Sequence, residues 1–204
     1  MQSKPRRSSR RSIRIPEFDY TDCGTCFVTV CAHRGQGIFG RIVDGKMCLA
    51  ALGVLVREQW ERLAAHFEGL SLGSFVVMPN HLHGILRLLG DGGTASRAPT
   101  AERFGRPVPR FVPTIVRSFK SGVTREARRA GLRLERPVWQ RGYFEHVVRN
   151  DSALEKINEY IATNPRRWDV DRENAEREGR DQFDEWLESF RSSPGNRPPL
   201  RTVS

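Results

Sequence analysis

The sequence has no long apolar run. None of its hydrophobic stretches approaches the ~20 residues that a membrane-spanning helix needs. Residues 1–16 are basic and contain no apolar segment of the kind that marks a secretory signal. We therefore expect a cytoplasmic protein that makes no contact with a membrane.

Cysteine is scarce as well, with four residues in a chain of 204. Cys23 and Cys26 form a single CxxC pair, and no second pair supplies the other ligands of a structural zinc site. Cys31 and Cys48 stand among apolar residues and are predicted to be small core residues. We expect neither a zinc site nor a disulfide, since a cytoplasmic protein keeps its thiols reduced.

Acidic residues are fewer than basic residues. The chain has 34 Lys and Arg residues against 24 Asp and Glu residues, which gives a formal net charge of +10 at pH 7. This excess favours a polyanionic partner such as nucleic acid, although a solvated basic surface is the alternative. Residues 1–16 carry six of the cations and no acid, so we predict a flexible basic arm that either contacts the polyanion or is simply solvated.

Hydrophobic periodicity and turn residues divide the chain into strands and helices. Strands are predicted over 25–33, 39–43, 70–78, 81–89 and 138–149. Helices are predicted over 47–67, 112–131, 152–164 and 181–190. Asp151 or Ser152 is expected to cap the third helix and Pro165 to end it. The main elements follow a ferredoxin-like order, so the predicted fold class is α+β, an antiparallel sheet with helices packed on one face.

Three regions are predicted along the chain. They are a basic flexible arm at 1–16, one folded domain at 17–170, and a partly disordered C-terminal extension at 171–204. Within the domain, the segment 90–109 is rich in Gly, Pro and Arg and is predicted to be a mobile surface loop.

A first cluster with candidate chemistry is His81-Leu82-His83, which falls in a predicted strand. Because alternate residues of a strand point to the same face, both imidazoles project together while Leu82 packs on the other side. Two neighbouring imidazoles are a natural pair of ligands for a divalent metal. Two ordinary surface histidines would show the same pattern.

A second cluster is formed by Tyr160 and Asn164, which share one face of the third predicted helix. The phenolic oxygen of Tyr160 can attack phosphorus, and the amide oxygen of Asn164 is a hard ligand suited to Mg²⁺ or Mn²⁺. Taken alone, a packing tyrosine and an asparagine that stops a helix before a proline would look the same.

Together the clusters resemble a known family. The segment SFVVMPNHLHGIL resembles the metal-binding strand of the HUH endonuclease superfamily. The segment VWQRGYFEHVVRNDSALEKINEYIATNPRRW resembles the C-terminal signature of the REP-associated tyrosine transposases. The early segment TCFVTVCAHRGQGIFG is similar to the first strand and turn of that family. The resemblance covers most of the chain, from residue 13 to residue 169.

The resemblance implies roles for particular residues. His81 and His83 match the metal-binding histidines, and Tyr160 matches the single catalytic tyrosine. Asn164 stands where insertion-sequence relatives carry a glutamine as a third metal ligand. The implied cofactor is therefore Mg²⁺ or Mn²⁺, held by His81, His83 and Asn164.

The resemblance also implies an activity, the cutting and rejoining of single-stranded, hairpin-forming DNA such as repetitive extragenic palindromes. The implied intermediate is a 5′-phosphotyrosine on Tyr160, in a nucleoid-associated protein that is either a monomer or a homodimer. A phenol ordinarily has a pKa of about 10, so it needs a base. Glu145 and His146 are candidates for that base, although structural roles are favoured for both.

Cations around the expected site would contact DNA phosphates. The predicted DNA-binding residues are Arg117, Lys120, Arg125, Arg128, Arg129, Arg141, Arg166 and Arg167. A solvated basic face is the alternative for all of them.

Two other functions stay open. A non-catalytic protein that binds hairpin nucleic acid could use the same fold, although RNA-recognition modules carry aromatic residues on central strands where this chain has histidines. A structural zinc protein built on Cys23, Cys26 and the histidine pair would leave Tyr160 without a role.

Overall fold

The structure is a computed structural model that describes residues 24–89 and 112–191. The predicted arm at 1–16, the predicted loop at 90–109 and the part of the predicted C-terminal extension from residue 192 onward lie outside these ranges. The described residues belong to two compact units, one within residues 20–181 and the other containing helix α5 (Gln182–Arg191). The predicted division of the chain at residue 170 stays a prediction.

A four-stranded antiparallel sheet forms the centre of the first unit. Its strands are β1 (Thr25–Cys31), β4 (Leu70–Val77), β5 (His81–Leu88) and β6 (Phe144–Val148), in the spatial order β4-β5-β1-β6. Helical segments connect β1 to β4 and β5 to β6, which is the ferredoxin-like arrangement. The predicted α+β class, with an antiparallel sheet in the ferredoxin-like order, is confirmed.

A separate hairpin of β2 (Gly40–Val43) and β3 (Lys46–Leu49) follows β1. Asp44 and Gly45 close it with φ values of 50° and 68°, the backbone of a two-residue turn whose twist suits antiparallel strands. The prediction of a helix from residue 47 is therefore wrong at its start, because Met47 pairs with Ile42. Cys48 is exposed on this hairpin, which contradicts its prediction as a core residue.

Helices cover both faces of the sheet. α1 (Ala51–Glu61), followed by the short α2 (Leu63–His66), and α3 (Val112–Arg129) pack together on one face. A Cβ added at Gly84 of β5 would lie 2.3 Å from the Trp60 ring of α1, so this helix packs directly on that strand. α4 (Asp151–Thr163) lies on the other face, where Tyr160 reaches His83. The expectation of helices on one face is wrong, because the central strand β5 is buried on both sides.

The helix that carries Tyr160 begins and ends differently from the prediction. Its N-cap is Asn150, whose Oδ1 accepts a hydrogen bond from the Ala153 N–H at 2.8 Å, and not Asp151 or Ser152. The chain continues past Pro165 as a 3₁₀ helix, Asn164–Val170. A proline fits the first turn of a helix because its missing N–H would have no partner there. No helix within the described ranges has the length and apolar character to cross a membrane.

Candidate active site

The histidine pair stands at the start of the central strand β5. His81 and His83 project from the same face, as the alternation predicts, and their Nε2 atoms lie 2.9 Å apart. Both side chains are buried, at 0% and 2% exposure. Leu82 is buried on the opposite face, so the strand is held by packing on both sides of the pair.

Hydrogen bonds to the outer nitrogens orient both rings. Thr29 Oγ1 of the neighbouring strand β1 lies 2.9 Å from His83 Nδ1, and Asn80 Oδ1 lies 2.8 Å from His81 Nδ1. The Asn80 Nδ2 group donates to the carbonyls of Gly35 and Glu173, so its Oδ1 is the acceptor and His81 Nδ1 carries a proton. In a neutral ring, His81 Nε2 then carries no proton, and its lone pair points toward the cluster, as in a metal-binding histidine.

Burial keeps the rings neutral. It lowers the pKa of His83 well below its ordinary value, and Coulombic interactions with His81 and Arg172 lower it further. Burial also lowers the pKa of His81, an effect that Asp171 and Glu173 partly offset. Neutral imidazoles are the form that binds a metal.

Tyr160 meets the pair from the opposite side of the site, although it lies 77 residues from His83 along the chain. Its hydroxyl is 3.2 Å from His83 Nε2, and it donates to Asp171 Oδ2 at 3.2 Å. The ring packs edge-on against Phe27 of β1, with centroids 6.3 Å apart. The structure therefore brings together the two clusters that the sequence presents separately.

Asn164 and Asp171 complete the cluster. The Asn164 Nδ2 group donates to Asp171 Oδ2 at 2.7 Å, and its Oδ1 is buried with no hydrogen-bond partner. Asp171 Oδ2 also lies 3.9 Å from His81 Nε2. Sequence reasoning missed Asp171, because it follows a proline-containing 3₁₀ helix across which no regular spacing links it to Tyr160.

The donor set fits a divalent cation. Ligand atoms of His81, His83 and Asp171 all lie within 4.8 Å of one another, and all three side chains are buried. The unpartnered Oδ1 of Asn164 adds a further buried acceptor. Imidazole nitrogens with carboxylate or amide oxygens suit Mn²⁺ and, with fewer nitrogens, Mg²⁺.

Comparison with known proteins identifies a relative and a shared fold. No protein-family model matches the chain. An uncharacterized protein of Haemophilus influenzae is 36% identical over 166 residues, which cover 79% of this chain and 91% of that protein. A REP-associated tyrosine transposase solved with a REP hairpin matches all of both chains with a TM-score of 0.50 and 17% identity. The chain belongs to the same family as the Haemophilus protein and has the fold of a REP-associated tyrosine transposase.

The fold that the sequence motifs imply is thus confirmed. A second solved structure, a transposase candidate from Deinococcus radiodurans, covers 69% of this chain and 90% of its own. Its TM-score is 0.38 at 17% identity, and nothing below rests on it.

The candidate bases differ in position within this transposase fold. Glu145 pairs with Val28 in the sheet register, and Val28 pairs with Gly84, so Glu145 faces the Trp60 side and points away from Tyr160. It accepts a hydrogen bond from the Tyr143 hydroxyl instead, at 3.1 Å. His146 pairs with Phe27 and lies on the face of the site.

The predicted DNA-binding cations are spread over two regions. Five lie on α3, in the layer opposite the histidines: Arg117, Lys120, Arg125, Arg128 and Arg129. Arg125 and Arg129 each contact Glu126 at 3.4 Å and stay largely exposed. Lys120 donates to the backbone carbonyls of Gln140 and Gly142, which ties the loop before β6 to the helix.

Three cations lie outside α3. Arg141 is exposed in the loop before β6, and Arg166 is exposed beside the hairpin turn at Gly45. Arg167 forms an ion pair with Asp181. DNA binding by all eight cations stays a prediction.

Proposed function

We propose that this protein is a metal-dependent endonuclease that cuts and rejoins single-stranded, hairpin-forming DNA. One observation carries the proposal. The Tyr160 hydroxyl lies 3.2 Å from His83 Nε2, so a nucleophile and a metal-ligand pair meet in one buried cluster of a single chain. The cluster needs no side chain from a second subunit, and a monomer or a homodimer fits it equally.

His81 and His83 would hold Mg²⁺ or Mn²⁺ together with an oxygen ligand from Asn164 or Asp171. When bound, such a cation polarises the scissile phosphate as a Lewis acid and offsets its developing negative charge. Thr29 and Asn80 keep the ring nitrogens aimed at this position.

Tyr160 acts as the nucleophile in this proposal. Its oxygen forms a bond to phosphorus while the bond from phosphorus to the 3′ oxygen breaks. The phenol loses its proton, and the leaving 3′ oxygen takes one up. The products are a 5′-phosphotyrosine and a free 3′-hydroxyl, and attack by a 3′-hydroxyl on the same linkage rejoins the strand without a nucleotide cofactor.

The cations divide into two roles in this proposal. Trp168 lies beside the site, where its ring stacks on His81 with 6.1 Å between centroids. Together with Arg166, two residues earlier in the chain, it would guide the strand that is cut. The exposed arginines of α3 lie in the layer opposite the site and would contact the hairpin stem. Neutralised phosphates supply most of the affinity in such contacts.

One observation favours a second candidate, a non-catalytic hairpin-binding protein. Tyr160 is 2% exposed, and Asn164 and Asp171 are fully buried. A phosphate can reach Tyr160 only if a covering segment moves when DNA binds. The enzyme therefore requires that movement, whereas a binding protein does not.

The test uses a hairpin oligonucleotide with a single-stranded flank and a label at its 3′ end, incubated with Mg²⁺ or Mn²⁺. The label marks the fragment that would stay joined to the protein. We expect a labelled covalent adduct on a denaturing gel with the natural protein and with Tyr143→Phe, a matched control outside the site. Tyr160→Phe should abolish it. An adduct that persists in Tyr160→Phe refutes the nucleophile, and tight hairpin binding without any adduct favours the second candidate.

A further inference from the structure

We infer that Asp171, and not Asn164, is the oxygen ligand that completes the cation site with His81 and His83. Asn164 is then a positioning residue that holds the carboxylate. The inference rests on the metal-binding half of the proposed function, and it changes the charge of the site. A site of two neutral imidazoles and a carboxylate carries one negative charge, whereas two imidazoles and an amide carry none.

The first argument is the missing counter-charge of Asp171. The side chain is fully buried. Its hydrogen-bond donors are all neutral: the Tyr160 hydroxyl, the Asn164 amide and the Glu173 backbone N–H. Among the described residues, its contact with a group that can carry positive charge is His81, at 3.9 Å from Nε2 to Oδ2. A buried carboxylate without a cation is costly, and a metal ion between it and the imidazoles removes that cost.

The second argument is the orientation of the carboxylate. The Asp171 Oδ1 atom accepts the Glu173 N–H at 2.8 Å, which leaves Oδ2 as the oxygen that faces the cluster. Oδ2 contacts Tyr160, Asn164 and His81, so it lies where a shared ligand must lie. Mg²⁺ and Mn²⁺ both favour carboxylate oxygens.

The third argument concerns the Asn164 amide. Its Nδ2 group faces Asp171 Oδ2 at 2.7 Å, so its Oδ1 is turned away from that oxygen. Reversing the amide would place Oδ1 against the carboxylate oxygen, and two acceptors repel at that distance. The hydrogen bond to Asp171 Oδ2 therefore keeps Asn164 in the donor orientation, in which it supports the carboxyl group from behind the proposed metal site.

The experiment measures Mn²⁺ binding without DNA, by isothermal titration and by the electron paramagnetic resonance signal of free Mn²⁺. We compare the full natural chain with Asp171→Asn, which keeps the shape and removes the charge, and with Asn164→Ala. Asp169→Asn is the control, because Asp169 is an exposed acid on the same 3₁₀ helix. Asp171→Ser provides a second uncharged variant at the site, and circular dichroism verifies the fold of each protein.

We expect both Asp171 variants to weaken Mn²⁺ binding about 100-fold or more, Asn164→Ala to weaken it about 10-fold, and Asp169→Asn to leave it unchanged. Unchanged Mn²⁺ affinity in folded Asp171→Asn and Asp171→Ser would overturn the inference. So would a larger loss in Asn164→Ala than in either Asp171 variant. If the protein binds Mn²⁺ through Asp171 but forms no DNA adduct, the proposed nuclease activity is refuted. The assignment of Asp171 as a metal ligand is then still supported.

Discussion

Replacing Thr29 with Val tests whether the neighbouring strand β1 tunes the proposed metal site. The two side chains have the same shape, so the substitution removes only the hydroxyl that lies 2.9 Å from His83 Nδ1. Thr29 is 4% exposed, so water cannot take over the lost bond. For His83 Nε2 to act as a ligand, Nδ1 must carry the proton, and Thr29→Val leaves that N–H buried without an acceptor.

The magnitude follows from two independent rules. A buried donor left unsatisfied costs about 1–3 kcal/mol of the free energy of unfolding. Loss of a hydrogen bond behind a metal-binding histidine lowers metal affinity by about 10- to 100-fold, which corresponds to about 1.4–2.7 kcal/mol. The two ranges are similar because both measurements report the loss of one buried hydrogen bond at His83 Nδ1.

The assay is urea unfolding of the metal-free protein together with Mn²⁺ titration. Thr25→Val is the matched control, since Thr25 lies on the same strand and the same face, opposite Arg87 and away from the histidines. We expect the control to keep both the natural unfolding midpoint and the natural Mn²⁺ affinity. If Thr29→Val matches the control in both measurements, the histidine pair is not oriented through β1 and our account of the site is wrong.

The remaining predictions concern the histidines and the packing behind them. His81→Ala and His83→Ala should lose DNA cleavage but keep most of the hairpin affinity, measured by fluorescence anisotropy, because phosphate contacts dominate binding; loss of folding would mark them as core histidines only. Gly84→Ala should lower the free energy of unfolding by about 1–3 kcal/mol, since its methyl would overlap the Trp60 ring. Gly37→Ala, whose added Cβ would be 3.9 Å from its nearest neighbour, is the control, and equal urea midpoints for the two variants would contradict the packing of α1 on β5.

Local patterns were sufficient for the main elements of the fold. The alternation in His81-Leu82-His83 predicted two imidazoles on one face, and the four-residue spacing of Tyr160 and Asn164 predicted a shared helix face. The structure shows both arrangements, and Tyr160 and Asn164 contact the same carboxylate oxygen. These predictions succeed because strand and helix periodicity depend only on the local backbone.

Other predictions failed where neighbours in space overrode local preference. Met47 and Leu49 have helical spacing with the residues that follow, yet the Asp44-Gly45 turn pairs them with β2. The capping side chain is Asn150, which precedes both predicted caps, Asp151 and Ser152. Cys48 has apolar neighbours in the sequence, yet its side chain is exposed. The reason is that a hairpin outside the main sheet has one side that faces solvent.

The sequence by itself determined which residues can do chemistry, namely a histidine pair, a phenol and an amide, and the ferredoxin-like order of elements that carries them. Tertiary structure alone decided that Tyr160 comes within hydrogen-bonding distance of His83 and that Asp171 joins them. The reason is physical: sequence periodicity reports which face of an element is apolar, but not which distant faces will meet. The 3₁₀ helix Asn164–Val170 has no such periodicity. Only the folded chain therefore shows that Asp171, which follows this helix, lies beside Tyr160 and the histidines.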